Sequence, residues 1–516
     1  MRRSRRRPSG RRVFPAACGG SRRGRRRTQY AAGDTHRLIL AGTLALLAGA
    51  VPAAGQSDAE PPSAATWPGF RGPDGIPVSD NDRLPLHWST TENVEWSIDV
   101  PGSGWSSPIV VGDTVFLTTA ARSIEATKRP EFGTEYSNEF MRELREQGLP
   151  WEEVLKRHDE RFIEFPDEVD LDYQLIAYSL EDGAELWRRT FFAGPPPGGR
   201  HSKNTFASET PVTDGETIFV YVTGLGLWAY SLEGELRWER RLDPFQIYMD
   251  FGTGGSPALT DDLVVILNDN QEHPFLAAFS KQDGREFWRA ARGRLAAPHA
   301  PNHRTSWSTP FVWRHDERTE IVALGPYTAI SYDTMGRELW RLTRHSLLPV
   351  PTPFAYDGLL YVTSGVHGDQ NRPITAIRPG AAGDLTLGED EASSEFVVWN
   401  DDRAGTYIPT PVAYKGSLWV VYDRGIFARY DAATGERLYR SRIEDSNGHF
   451  TTSPWAYRDR IFATDEAGTT FVFGTGDEFE QLHANPLDEM TLASPALAGD
   501  RLVMRTRSKL YSFRER

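Results

Sequence analysis

Residues 210–241 read TPVTDGETIFVYVTGLGLWAYSLEGELRWERR. A small residue followed by proline, Thr210-Pro211, opens a strand-like run, and Asp214-Gly215 marks a turn before the second apolar run TIFVYV. That order is a β-hairpin signature. Proline is tolerated at the first position of a strand, so it can stand there without breaking a sheet. Further on, Gly234 supplies another turn, and Trp238 lies four residues later in the returning strand. The stretch therefore holds four short strands joined by tight turns.

The same pattern recurs along the chain. Its anchors are Ser107-Pro108, Thr210-Pro211, Ser256-Pro257, Thr309-Pro310, Thr352-Pro353, Thr410-Pro411, Ser453-Pro454 and Ser494-Pro495. The turn-then-aromatic element recurs as Gly183 with Trp187, Gly284 with Trp288, Gly336 with Trp340 and Gly435 with Tyr439. Successive anchor prolines are 103, 46, 53, 43, 58, 43 and 41 residues apart. Four strands in about 40–50 residues make a propeller blade. The expectation is an all-β, eight-bladed β-propeller of four-stranded blades spanning 67–516. The long first interval holds an insertion, 121–170, expected to be mostly helical because Phe140, Leu144, Leu149, Trp151, Val154, Leu155 and Phe162 recur among charges. The last blade ends before its outer strand, and Glu92 to Val100, with Trp96 at the matching position, is the spare strand that can close the ring.

The net charge of −13 conceals an asymmetry: residues 1–57 carry 13 arginines and one acid, Asp34. The remaining body is strongly acidic and shows no basic groove, which excludes nucleic acid as a partner. Residues 38–51 (LILAGTLALLAGAV), followed by Pro52, Ala53, Ala54 and Gly55, have the length and flanks of a signal peptide and are short for a membrane span. Residues 58–66 read as a linker. A periplasmic or secreted protein, not integral to the membrane, is expected. The single cysteine, Cys18, lies in the leader, so the body can form neither a disulfide nor a thiolate metal site.

The anchors and the turn-then-Trp element resemble the repeats of pyrroloquinoline-quinone (PQQ) dehydrogenases and of the bacterial outer-membrane assembly propeller. WPGFRGPDGIP (67–77) and GWSSPIVVGDTVFLT (104–118) look like the start of exported bacterial PQQ-like repeat proteins. Blade six keeps the family pattern in Asp431, Thr434, Gly435, Glu436 and Tyr439. The chain departs from the alcohol-type dehydrogenases in lacking their vicinal disulfide, and no calcium-ligand set aligns. It departs from the assembly lipoprotein in having no cysteine after the apolar run.

Sites in propellers gather at the mouth of the central channel, where the loops entering the innermost strands converge. The residues before each anchor are therefore the candidates: Trp105; Arg200, His201, Lys203, Asn204 and Glu209; Tyr248 and Asp250; His299, Asn302, His303, Arg304 and Trp307; Arg403 and Tyr407; His449. Trp105 and Trp307 both stand three residues before their anchor proline. If a planar quinone with three carboxylates were held there, Trp105 and Trp307 would offer aromatic faces, and Arg200, Lys203, Arg304 and Arg403 charged donors. The recurring outer Trp residues are expected to pack between blades. His299 and His303 are four apart, but Ala-Pro-Asn between them opposes a helix that would align them on a metal, and no metal site is expected. The glycines of DFGTGGSP (250–257) are expected to permit tight chain entry rather than to hold phosphate.

A complete scaffold without a recognisable catalytic set leads to the expectation of an exported, non-catalytic propeller, with no cofactor, that binds a protein partner or small ligand at its channel face. The alternative implied by the resemblance is a PQQ-dependent oxidoreductase that uses Ca²⁺ and oxidises an alcohol or sugar.

Overall fold

The computed structural model describes residues 66–122, 142–150, 153, 154, 156, 157, 170–201, 203–293, 303–366, 369 and 371–515. The leader, the linker up to Ala65, most of the 121–170 insertion, and His299 and Asn302 lie outside the described residues.

Eight antiparallel sheets form the blades of one propeller. Their innermost strands are Ile109–Val111, Val212–Thr213, Ala258–Leu259, Phe311–His315, Phe354–Tyr356, Val412–Tyr414, Trp455–Tyr457 and Ala496–Ala498. Each begins just after an anchor proline, as the missing N–H requires. The middle strands carry β-branched and aromatic residues buried on both faces, as in Thr217–Val222 and Gly226–Ser231, because every blade is sandwiched between two neighbours. Outer strands such as Leu236–Arg241 expose all but one residue.

The ring closes as the missing outer strand requires. Val94–Asp99 pairs antiparallel with Lys509–Phe513, with Ile98 opposite Leu510 and a bulge between Val94 and Trp96. Arg501 seals this seam on Glu95, with Nε 2.5 Å from Oε2. The buried Arg505 bridges the last blade to the first, donating to the carbonyls of Ser106 and Thr118 at 3.2 and 2.8 Å.

Three sheets gain a fifth strand. Thr66–Trp67 pairs with Val110 and Val111 of blade one, so Thr66 belongs to the ring rather than to a linker. Val78–Ser79 runs parallel to the inner strand of blade seven, and Gly383–Asp384 runs parallel to the outer strand of blade four. The insertion leaves blade one from Arg122 and returns at Leu171, its direct partner on the adjacent strand. Residues 142–146 are helical, and Leu144 packs with Val154, Leu149 and Met249. The rest of the expected helical excursion lies outside the described residues.

The outer Trp residues join neighbouring blades. Trp96, Trp187, Trp238, Trp288 and Trp399 each lie on the turn glycine of the following blade: Gly183, Gly234, Gly284, Gly336 and Gly435. A methyl group on any of these glycines would fall under 3.0 Å from the indole. Each indole N–H also donates to a carbonyl of the same turn, on Leu180, Leu232, Lys281, Thr334 and Ala432, at 2.8 to 3.0 Å. A small residue opposite the indole on the third strand makes room, as with Ala229 opposite Trp238 and Ala278 opposite Trp288. Trp340 departs from the rule because Gly383–Asp384 occupies the seat beside it. Its N–H turns to the buried Glu320 at 2.8 Å, which also binds Arg318 and Ser331.

A second set of links surrounds the channel. The backbone N–H of Ser107 donates to Thr210 Oγ1, that of Thr210 to Ser256 Oγ, and that of Ser256 to Thr309 Oγ1, at 2.9 to 3.0 Å. On the far side Thr352, Thr410 and Ser453 donate in the same way to Thr410, Ser453 and Ser494, at 2.9 to 3.1 Å. At six of the eight anchors the residue is thus Ser or Thr, not merely small, because its hydroxyl satisfies the buried N–H of the preceding blade.

Gly284→Ala and Gly416→Ala separate the indole seat from turn strain. Both glycines have positive φ, but nothing lies near Gly416. The expected cost is about 1–2 kcal/mol for Gly416→Ala, from the left-handed backbone alone, and about 2–4 kcal/mol for Gly284→Ala. Equal melting temperatures for the two variants would contradict the seat. Thr210→Val, which leaves the Ser107 N–H buried without an acceptor, should cost about 1–3 kcal/mol in urea unfolding, while Thr210→Ser should recover most of that loss.

Candidate functional site

A cavity of about 360 Å³ opens at the channel mouth. Its floor comes from a strap that crosses the channel at the far end. Thr66–Trp67 sits on blade one, the Pro68 carbonyl accepts from Thr213 N on blade two, and Val78–Ser79 reaches blade seven. Between these points Arg71 is fully enclosed and donates to the carbonyls of Thr410 and Pro411 at 2.9 and 2.7 Å, with its guanidinium over Phe354. Desolvation by burial lowers its pKa to about 9, with no carboxylate to oppose it. WPGFRGPDGIP is therefore the plug of the channel, and Phe70 within it faces the cavity.

The walls come from loops before the anchors. Trp105 and Trp307 both line the cavity, and each indole N–H is held at 2.7 Å, Trp105 by the Lys203 carbonyl and Trp307 by the Gly252 carbonyl. The two bonds run in opposite senses around the ring, from blade one forward to the next loop and from blade four back to the previous one. Asn204 ties these loops together, donating to the carbonyls of Phe251 and Thr253 at 3.0 Å and accepting from Ser208 Oγ at 2.6 Å. Phe251 stands edge-on to His201 with centroids 5.4 Å apart. The glycine-rich entry is close-packed as expected: a Cβ on Gly255 would lie 2.8 Å from the Ser308 carbonyl.

Aliphatic groups from Leu348, Val350, Ile408 and Leu492 complete the walls with Tyr407, and the anchor hydroxyls ring the base. Lys203 and Glu466 are the only cation and carboxylate among the described lining residues, and they bind each other at 2.7 Å. Thr451 Oγ1 donates to the second oxygen of Glu466 at 2.8 Å. His201 accepts from the Lys203 N–H through Nδ1, and burial, with Lys203 nearby, holds its pKa below the ordinary value.

The sequence reasoning placed Trp105, Lys203, Trp307, His201, Asn204 and Tyr407 near the mouth, and all of these line the cavity. Arg200, Arg304 and Arg403 do not. Arg200 donates to the Asn204 carbonyl at 2.8 Å and lies over Phe206, Arg304 Nη1 is 3.5 Å from the Glu272 carbonyl, and Arg403 is exposed. Arg200 serves its own loop, Arg304 reaches a turn of blade three, and Arg403 faces solvent. His303 is buried against Tyr248, with centroids 4.0 Å apart, and burial lowers its pKa to about 4. Glu466 escaped the sequence reading because it lies in the turn between the second and third strands of blade seven. In an antiparallel blade that turn reaches the same face as the loop before the anchor. Phe70 escaped it because the strap is not part of the repeat.

The geometry defines a propeller with one plugged end and a lined pocket at the other. Residues 172–343 match the family model described as outer membrane protein assembly factor BamB. The chain has the fold of an eight-bladed β-propeller, and about a third of it is similar to PQQ-like repeats. It resembles a europium-containing methanol dehydrogenase (11% identity, TM-score 0.54, 88% of this chain and 98% of that one). It also resembles the quinohemoprotein alcohol dehydrogenase of Comamonas testosteroni (10% identity, TM-score 0.54, 88% and 81%). BamB of Moraxella catarrhalis aligns with 13% identity and a TM-score of 0.44 over 66% of this chain and 89% of that one. No curated protein matches the chain. Among the described residues, no helix is long and apolar enough to cross a membrane.

Beside the cavity, Glu209 is fully buried. Its Oε1 accepts from Thr223 N at 3.1 Å, and its Oε2 has no partner. Burial raises its pKa above the ordinary 4.5. A raised carboxyl contributes stability that is complete below the unfolded-state pKa and is lost as pH climbs through the folded value. Glu209→Gln, a neutral isostere, should therefore gain stability relative to the wild type as pH rises above 4.5. A wild-type-minus-variant difference that stays constant with pH in chemical unfolding would contradict this.

Proposed function

We propose that the protein is an exported, non-catalytic propeller that holds a ligand in the channel-mouth cavity. The observation that carries this reading is the cavity itself, plugged below, lined by aromatic and aliphatic side chains, and with the one charged pair among its described lining residues mutually satisfied. Pockets of this size and lining suit small ligands. The reading of export rests on the apolar run at 38–51 and on the small residues that follow it, Pro52, Ala53, Ala54 and Gly55.

The described residues do not fit PQQ with Ca²⁺. Three carboxylates call for free cations, and Lys203, the one cation among the described lining residues, is already held by Glu466. Ca²⁺ takes 6–8 oxygen ligands. Among the described residues, no group of three or more His, Cys, Asp or Glu side chains is placed to hold a metal ion.

Titrating the purified protein with PQQ and CaCl₂ tests the reading. No saturable binding up to about 100 µM is expected, an affinity limit of about 5.5 kcal/mol. Saturable binding accompanied by dye-linked oxidation of an alcohol or sugar, and lost in Trp307→Ala, would make the protein an oxidoreductase instead.

A further inference from the structure

An ion pair ties two separated flanks of the cavity mouth together. Lys203 stands in the loop that enters blade two, and Glu466 in the turn between the second and third strands of blade seven, so blades eight and one lie between them in the ring. Lys203 Nζ nevertheless meets Glu466 Oε2 at 2.7 Å, and both residues line the cavity. The pair is thus a chord across the mouth, on the side where Trp105 of blade one and Leu492 of blade eight form the wall. It is also the outer layer there: the Lys203 side chain is 44% exposed, whereas Trp105 is 8% exposed and Ser494 6%.

The two ends of the chord differ in how they are held. Glu466 is fixed: its N–H donates to the His449 carbonyl at 2.9 Å, Thr451 Oγ1 donates to its Oε1 at 2.8 Å, and its side chain is 11% exposed. Lys203 is held by its main chain, where its carbonyl accepts the Trp105 indole N–H at 2.7 Å and its own N–H donates to His201 Nδ1 at 3.1 Å. The loop therefore cannot swing away without releasing Trp105, but the lysine stem beyond Cβ can. An ammonium on a flexible four-carbon stem, half in water, changes rotamer quickly, and salt screens its attraction to the carboxylate.

We infer that the Lys203 side chain is the moving bar of a gate latched on Glu466, and that a ligand enters or leaves the cavity on this side while the bar is off. This deepens the binding function proposed above and rests on it. Lys203 and Glu466 sit at the rim and the aromatic and aliphatic groups within, so a ligand held by the walls passes the pair without replacing either charge. The gate therefore acts on the rates of entry and exit, and high salt opens it. A bar that is latched about nine-tenths of the time slows passage about tenfold, which corresponds to a latch of about 1.4 kcal/mol.

A thiol reporter tests the gate without any ligand. Cys18 is the single cysteine, so the full chain with Cys18→Ser and Leu492→Cys carries one thiol, on the wall that the bar crosses, at a partly exposed position. Its reaction with methyl methanethiosulfonate, which is small and neutral, is followed by mass spectrometry. Lys203→Met and Glu466→Gln should each speed the reaction about three- to tenfold, and the double variant should be no faster than either, since both remove one interaction. Sodium chloride at about 1 M, where screening reaches ~3 Å, should speed the parent by a similar factor and leave the two variants unchanged. Leu438→Cys, 42% exposed on the outer strand of blade six, should respond to none of these changes. Unchanged Leu492→Cys rates in both variants would overturn the gate and leave the cavity-binding function standing, because the assay uses no ligand. Faster reaction of both reporters, or a lowered melting temperature beside the faster rate, would assign the pair to holding the ring together and would equally overturn the gate.

Discussion

The structure depends on how the anchor N–H groups at the channel are satisfied. Each innermost strand follows a proline, which offers no hydrogen to the ladder, and in six blades the residue before that proline directs its N–H sideways to the next blade. There the hydroxyl of the next blade's anchor supplies the acceptor. The bond is buried, so its loss would leave an orphaned donor rather than a hydrated one. Because it runs between blades, it sets their spacing at the axis, and the cavity inherits its circular base from it.

The outer contacts do the complementary work at the rim. An indole resting on a glycine leaves no space for a side chain, and its N–H finds a carbonyl in the same turn, so each such contact combines apolar burial with a satisfied donor. Where the following blade lacks the regular turn, the chain substitutes another partner. Trp340 meets a buried carboxylate, and His483 at the corresponding position of blade seven stacks on His87 of the amino-terminal segment, with centroids 4.0 Å apart. The departures coincide with segments that interrupt the repeat: the expanded hairpin of blade five and the strand that closes the ring.

The same economy governs the cavity. Most polar groups near it are already engaged. Asn204 ties loops together, Lys203 and Glu466 neutralise each other, and the anchor hydroxyls serve the ring. Neighbouring buried groups such as Glu209 and His303 carry pKa values displaced toward their neutral forms by desolvation. A pocket with so little unspent charge is suited to holding a molecule by shape and apolar contact.

The sequence by itself determined the blade count, the closing strand and the packing of the outer Trp residues between blades, because each depends on short-range patterns: a proline at a strand start, a glycine at a turn, an aromatic four residues on. It also placed Trp105, Lys203 and Trp307 at one end of the ring, since they precede anchors. It could not show that the anchor's hydroxyl matters more than its size, because that bond joins residues 41 to 103 positions apart. Nor could it show that Arg200, Arg304 and Arg403 turn away, that Glu466 arrives from an intervening hairpin to neutralise Lys203, or that residues 66–79 plug the channel. Those outcomes were decided by the tertiary structure alone, because only ring closure brings blades one and seven to the same mouth, and only antiparallel pairing returns a blade's turn between second and third strands to the face of its entry loop.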